Sequence, residues 1–87
     1  MVWTVKLNKK SEKELSKLDK ETQIKITNFL LKLEKSANPR ESGRPLKGDL
    51  GLFWRYRIGD YRIISQIKDA TVTVFVLSVG HRKEVYR

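Results

Sequence analysis

Cysteine is absent from this 87-residue chain, which excludes a disulfide framework and any thiolate metal centre. Histidine occurs once, as His81, so a metal site would lack its usual ligands, and no cofactor is expected. No stretch is apolar over the length of a membrane span. The start, MVWTVKLNKK, has neither the apolar core nor the cleavage site of a secretory leader. Acidic residues are scarce, ten against nineteen Lys and Arg, for a net charge of +9 and a pI near 10.0. Such an excess implies a polyanionic partner: nucleic acid, an acidic protein or, less favoured without an apolar segment, a membrane surface. The expectation is a cytoplasmic protein with no metal, no cofactor and no membrane. At this length residues 1–87 form a single domain, and 39% apolar composition is enough for one modest core.

The two basic residue types divide along the chain. Nine of the twelve lysines precede residue 39, whereas all seven arginines follow it. Arginine grips phosphate with two parallel hydrogen bonds and stacks on bases, while lysine is a strongly hydrated point charge suited to a solvated helix face. The first half therefore reads as scaffold and the second as site.

The centre of the second half is Phe53 to Lys68, FWRYRIGDYRIISQIK. Two alternating runs of strand length flank Gly59-Asp60, a pair suited to a tight hairpin turn. A two-residue loop would set Ile58 opposite Tyr61 and Arg57 opposite Arg62, with Arg55 on the same face. Like charges facing one another destabilise a sheet, and no carboxylate alternates with these arginines, so an external anion is implied. Trp54, Tyr56 and Ile58 share the other side by alternation and read as core.

Around this hairpin, Val2 to Leu7 alternates as a first strand. Asn8 or Ser11 can cap a thin helix over Lys9 to Leu18, which must lean on its neighbours. Asp19 caps a second helix, with Ile24, Ile26, Phe29, Leu30, Leu33 and Ala37 near helical spacing and a stop at Asn38-Pro39. Arg40 to Gly51 reads as an exposed loop, Asp69-Ala70 as a turn, and Thr71 to Val79 as a central strand buried on both faces, with a basic tail from Gly80 to Arg87. The expected fold is α+β, in the order β-α-α-β-β-β: a helical hairpin packed on one face of a mainly antiparallel four-stranded sheet, the arginines lying on the free face. If the last strand runs back along the hairpin, its end lies near Arg57 and Arg62, and His81, Arg82 and Tyr86 can converge on the same anion.

These residue types suit cleavage of RNA by 2′-hydroxyl attack on the neighbouring phosphorus, with guanidinium groups stabilising the charge that develops on the phosphoryl oxygens. An aromatic ring can stack on a base to align the attack. Arginine cannot act as the base, since its free pKa is about 12.5 or higher, and His81 alone has an unperturbed pKa near neutrality. Each feature also has an ordinary reading. A strand arginine between aromatics is usually a solvated outer face, His81 an ordinary loop histidine, and Tyr86 a frayed terminal residue.

The hairpin WRYRIGDYRII, the strand and tail TVTVFVLSVGHRKEVYR and the loop RPLKGDLGLFWRYR together resemble the RelE toxin family of the RelE/ParE superfamily, across nearly the whole chain. The resemblance implies the RelE/ParE fold, of microbial RNase type. It also implies an mRNA interferase, an endoribonuclease toxin of a type II toxin–antitoxin system that cuts mRNA in the ribosomal A site. The expected partners are mRNA, the ribosome with its 16S rRNA, and a cognate acidic RelB-like antitoxin. By position, the family's site residues fall on Arg55, Arg57, Arg62, Arg82 and Tyr86. From the residues alone, Arg40, Arg44 and Lys47 in the loop read as further phosphate contacts. Arg55 and Arg57 stand where the family pattern has lysines, which leaves the acceptor of the 2′-hydroxyl proton open among His81, Tyr86 and a water. Two other classes remain, a ParE-like toxin that inhibits DNA gyrase and a non-catalytic basic nucleic-acid-binding module.

Overall fold

A computed structural model describes residues 3–46 and 53–81. The chain opens with β1 (Thr4–Leu7), whose Val5 and Leu7 pack against the core. Asn8 then caps α1 (Lys9–Ser16) by accepting the Ser11 N–H at 2.7 Å. This helix is poor in apolar residues, and polar bonds fasten it to the sheet. The buried Ser11 hydroxyl donates to the Val76 carbonyl (3.0 Å), and Glu14 accepts the Val79 N–H (2.9 Å) and the Ser78 hydroxyl (3.2 Å).

Asp19 caps α2 (Lys20–Lys35), accepting from the Thr22 N–H and hydroxyl, which holds its carboxyl below the usual aspartate range. Ile26, Leu30 and Leu33 form the buried stripe, with the Phe29 ring tilted against Tyr56 at 5.3 Å between centroids. Ile24 does not belong to that stripe, contrary to the pattern expectation. Two residues back from Ile26 is about 200° around the helix, and Ile24 is 52% exposed. The helix ends at Lys35, before Ala37, which is also exposed. Asn38 caps a separate 3-10 turn, Pro39–Ser42, by accepting the Arg40 N–H at 3.1 Å.

The sheet contains β2 (Arg44–Pro45), β3 (Phe53–Ile58), β4 (Tyr61–Lys68) and β5 (Thr73–His81), in the order β1-β5-β4-β3-β2. The pairs from β2 to β5 are antiparallel, and β1 runs parallel to β5. The α+β class and the helical hairpin on one face are as expected; the strand count is five instead of four. The extra strand is β2, two residues long, at an edge where Pro45 can donate nothing further. The second turn is also longer than expected. It is a 3-10 turn, Asp69–Thr71, followed by Val72 in the left-handed region (φ 51°), a strained setting for a β-branched residue.

Alternation sends Tyr56, Ile63, Val74, Val76 and Val79 toward the helices, where they form the core with α2. The β5 strand is inner, but its other face is buried only toward the ends, at Thr73 and Gly80; Phe75 and Leu77 between them are half-buried. Opposite β4 its register slips once: Ser65 faces Val76 while Ile64 faces Ser78, so Leu77 is an extra residue. Among the described residues no helix is long and apolar enough to cross a membrane.

Candidate active site

The hairpin turns at Gly59, whose φ of +58° only glycine adopts freely, and this fixes the expected register. Arg57 lies opposite Arg62 and Ile58 opposite Tyr61. Across the other edge of β3, Arg44 lies opposite Arg55. Facing residues in an antiparallel pair point the same way, so Arg44, Arg55, Arg57 and Arg62 share the face away from the helices. Arg62, flanked by Arg57 and by Gly80, is 5% exposed. Arg55 is half-buried, and Arg57 and Arg44 are exposed. A cleft of about 410 Å³ opens beside them, lined by Glu41, Ser42, Gly43, Arg44, Arg55 and Arg57.

The wall of this cleft is the Pro39–Ser42 turn, tied to the sheet from three sides. The Tyr56 hydroxyl donates to the Pro39 carbonyl at 2.8 Å and the Trp54 indole N–H to the Arg40 carbonyl at 3.1 Å. The Arg40 guanidinium forms a two-point ion pair with Asp69, 2.9 and 2.8 Å, while lying over the Trp54 ring at 5.8 Å. That pair raises the Arg40 pKa and holds the Asp69 carboxyl below its ordinary value. Burial pushes the Tyr56 phenol up to about 12, so it remains a neutral donor across the physiological range. Gly43 then passes so close to β3 that a methyl group on it would collide with the Arg55 carbonyl. Arg40, which sequence reasoning grouped with the loop phosphate contacts, is thus an anchor of the turn.

His81 is not brought to the arginines. It lies opposite Tyr61, with the rings edge to face at 5.8 Å, beside Glu14, Lys17 and Leu18 on the helical side. The slip at Leu77 is the reason. An unbroken register from Thr73 opposite Lys68 would set Val79 against Arg62 and put His81 on the arginine face. One extra residue moves both to the other side. Lys47, Arg82 and Tyr86 lie outside the described residues. Sequence reasoning missed Glu41, one of two acidic residues, with Asp49, in a segment that reads as an exposed loop. The available signal was Asn38-Pro39, a capped turn start as well as a helix stop.

Comparison with known proteins agrees with this architecture. A family model described as the ParE toxin of the type II toxin–antitoxin system parDE matches residues 5–86. Toxin RelG of Mycobacterium tuberculosis is 31% identical over 87 residues, covering 100% of this chain and 99% of that protein. The solved toxin–antitoxin complex RelBE2 of M. tuberculosis contains a chain that superposes with a TM-score of 0.84 at 29% identity, covering 94% of this chain and 100% of that one. The isolated RelE toxin of E. coli gives 0.76 at 26% identity (97% and 90% covered). The archaeal RelE–RelB complex of Pyrococcus horikoshii gives 0.75 at 30% identity (97% and 99% covered).

On these matches, this helical hairpin on a sheet whose open face carries paired arginines is a toxin domain of type II toxin–antitoxin systems. Within that class, the chain belongs to the RelE/ParE superfamily, to whose ParE toxin family model it matches over nearly its whole length.

Proposed function

We propose that this chain is an mRNA interferase, an endoribonuclease that cuts mRNA in the ribosomal A site by 2′-hydroxyl attack on the adjacent phosphorus. The observation that carries the reading is the pairing of Arg44 with Arg55 and of Arg57 with Arg62 on one sheet face beside a cleft. Four guanidinium groups on one surface repel each other and gain most from a phosphate chain laid across them. Arg57 and Arg62 stabilise the charge developing on the phosphoryl oxygens, and Arg55 and Arg44 hold the flanking backbone. By family resemblance Arg82 holds the phosphate and Tyr86 stacks on the nucleotide at the cut, and Lys47 in the basic loop adds a phosphate contact. His81 has no part in the step, since it lies across the sheet. The ribosome, through its 16S rRNA, presents the message and supplies much of the alignment. Toxicity of this kind acts in the cytoplasm. It is silenced by an acidic RelB-like antitoxin whose negative charge meets the +9 of this chain.

A second reading is a ParE-like toxin that binds DNA gyrase, favoured by the description of the matching family model. Primer-extension mapping on programmed ribosomes separates the two. The wild type cuts the message. Arg62→Ala, confirmed folded by circular dichroism, and the exposed Arg57→Ala each lose on the order of 100- to 1,000-fold in rate. Inhibition of supercoiling without RNA cuts would establish the gyrase reading, and RNA binding without cuts a non-catalytic module.

A further inference from the structure

We propose that Glu41 is the proton acceptor of the cleavage step, an inference that rests on the ribonuclease reading above. Guanidinium groups stabilise charge but take up no proton, so the arginine face by itself lacks a base. The sequence leaves the acceptor open among His81, Tyr86 and a water; the register of β5 sets His81 on the opposite face, and Tyr86 lies outside the described residues. The structure places a carboxylate in the cleft instead. Among the described residues that line it, Glu41 is the one acidic side chain, set with Arg44, Arg55 and Arg57 around the same space.

Its position is held firmly. The turn that carries it is fixed on one side by the Tyr56 and Trp54 hydrogen bonds and on the other by the Arg40–Asp69 ion pair, and Gly43 seats the following residue against β3. Most other carboxylates of the described residues are engaged elsewhere: Asp69 by Arg40, Glu14 by Ser78 and Val79, Asp19 by Thr22, Glu34 by the Val5 N–H. Glu41 is exposed, and nothing in the core depends on its charge. A rigid turn that presents an uncommitted carboxylate to a phosphate-binding cleft is poorly explained by phosphate binding alone, because the carboxylate repels the ligand.

In the step, the 2′-oxygen forms its bond to phosphorus as its proton passes to the Glu41 carboxylate. The bond from phosphorus to the 5′-oxygen breaks, and that oxygen takes a proton from water. The products are a 2′,3′-cyclic phosphate and a 5′-hydroxyl end, and Glu41 returns its proton to solvent. General-base assistance of this kind typically contributes about 100- to 10,000-fold.

The test is single-turnover cleavage of a defined mRNA on programmed ribosomes, comparing wild type, Glu41→Gln and Glu41→Asp, with binding measured separately. Glu41→Gln is isosteric, and its thermal midpoint is measured to confirm that it is folded at the assay temperature. As proton acceptor, Glu41 gives a Gln variant that cleaves at least 100-fold more slowly while binding as tightly or more tightly, and an Asp variant that retains part of the rate. A residue that merely balances the arginines would behave oppositely: its Gln variant would bind more tightly and cleave as fast or faster. That result, with the wild type active, overturns the role of Glu41 and leaves the ribonuclease reading standing. A wild type that binds ribosomes and makes no cuts overturns both.

Discussion

Neutralising Arg57 should stabilise the protein while removing its activity. Arg57 and Arg62 face each other across β3 and β4 with no acidic residue alternating between them, and Arg44 and Arg55 repeat the arrangement one strand over. Two unit charges about 6 Å apart repel by about 0.7 kcal/mol in bulk water and about 2.8 kcal/mol at an effective dielectric of 20. Arg57 is exposed, which puts the pair near the lower end, in keeping with the roughly 0.2–1 kcal/mol measured for facing residues in sheets. Arg57→Gln should therefore gain about 0.5–1 kcal/mol, raising the thermal midpoint of a domain this size by about 2–8 °C. Arg57→Glu, which turns repulsion into attraction, should gain more. The assay is thermal unfolding by circular dichroism in low salt and again in about 1 M salt, where screening acts over roughly 3 Å and the gain should shrink. The same variants should fail to cut mRNA. A midpoint that falls in low salt, or a gain unaffected by salt, would show that the arginine face is not electrostatically strained, and the argument for an anionic ligand would lose its basis.

Gly43→Ala should destabilise by about 1–3 kcal/mol, because the added methyl meets the Arg55 carbonyl and the Trp54 and Tyr56 rings. Urea unfolding measures the loss, and an unchanged midpoint would mean the turn can back away from β3. Tyr56 supplies a pH test. Its phenol titrates near 12 when folded against about 10 unfolded, so its contribution is fully present below pH 10 and is lost as pH rises toward 12. That interval corresponds to about 3 kcal/mol. Tyrosinate absorbance should show one phenol ionising together with unfolding, and Tyr56→Phe should remove that coupling.

Much of this geometry was legible because it follows from local rules. Gly59-Asp60 between two alternating runs fixed the hairpin register and so the meeting of Arg57 with Arg62. Alternation put Tyr56 in the core, and Asp19 marked the start of α2. The remainder depended on contacts distant in sequence. Arg44–Pro45 is a strand only because Gly43 lets the backbone press onto β3, which nothing in RESGRPLK announces. An antiparallel β5 ends near the hairpin turn, which suggests that His81 meets the arginines, but nearness does not set the face, and a single bulge residue reverses the face of everything beyond it. Nothing in VFVLSV distinguishes Leu77 as that residue. Ile24 falls near enough to helical spacing to pass for core, yet only the docking direction of α2 decides which of two stripes is buried.

The parallel pairing of β1 with β5 bears on the protein's own synthesis. The first strand made has its sheet neighbour in residues 73–81, and the helices find their complete apolar platform only when that neighbour is in place. A nascent chain emerging from the ribosome therefore has no finished sheet until translation has passed residue 81. A chain interrupted short of that point would lack the strand against which β1 pairs and α1 is fastened.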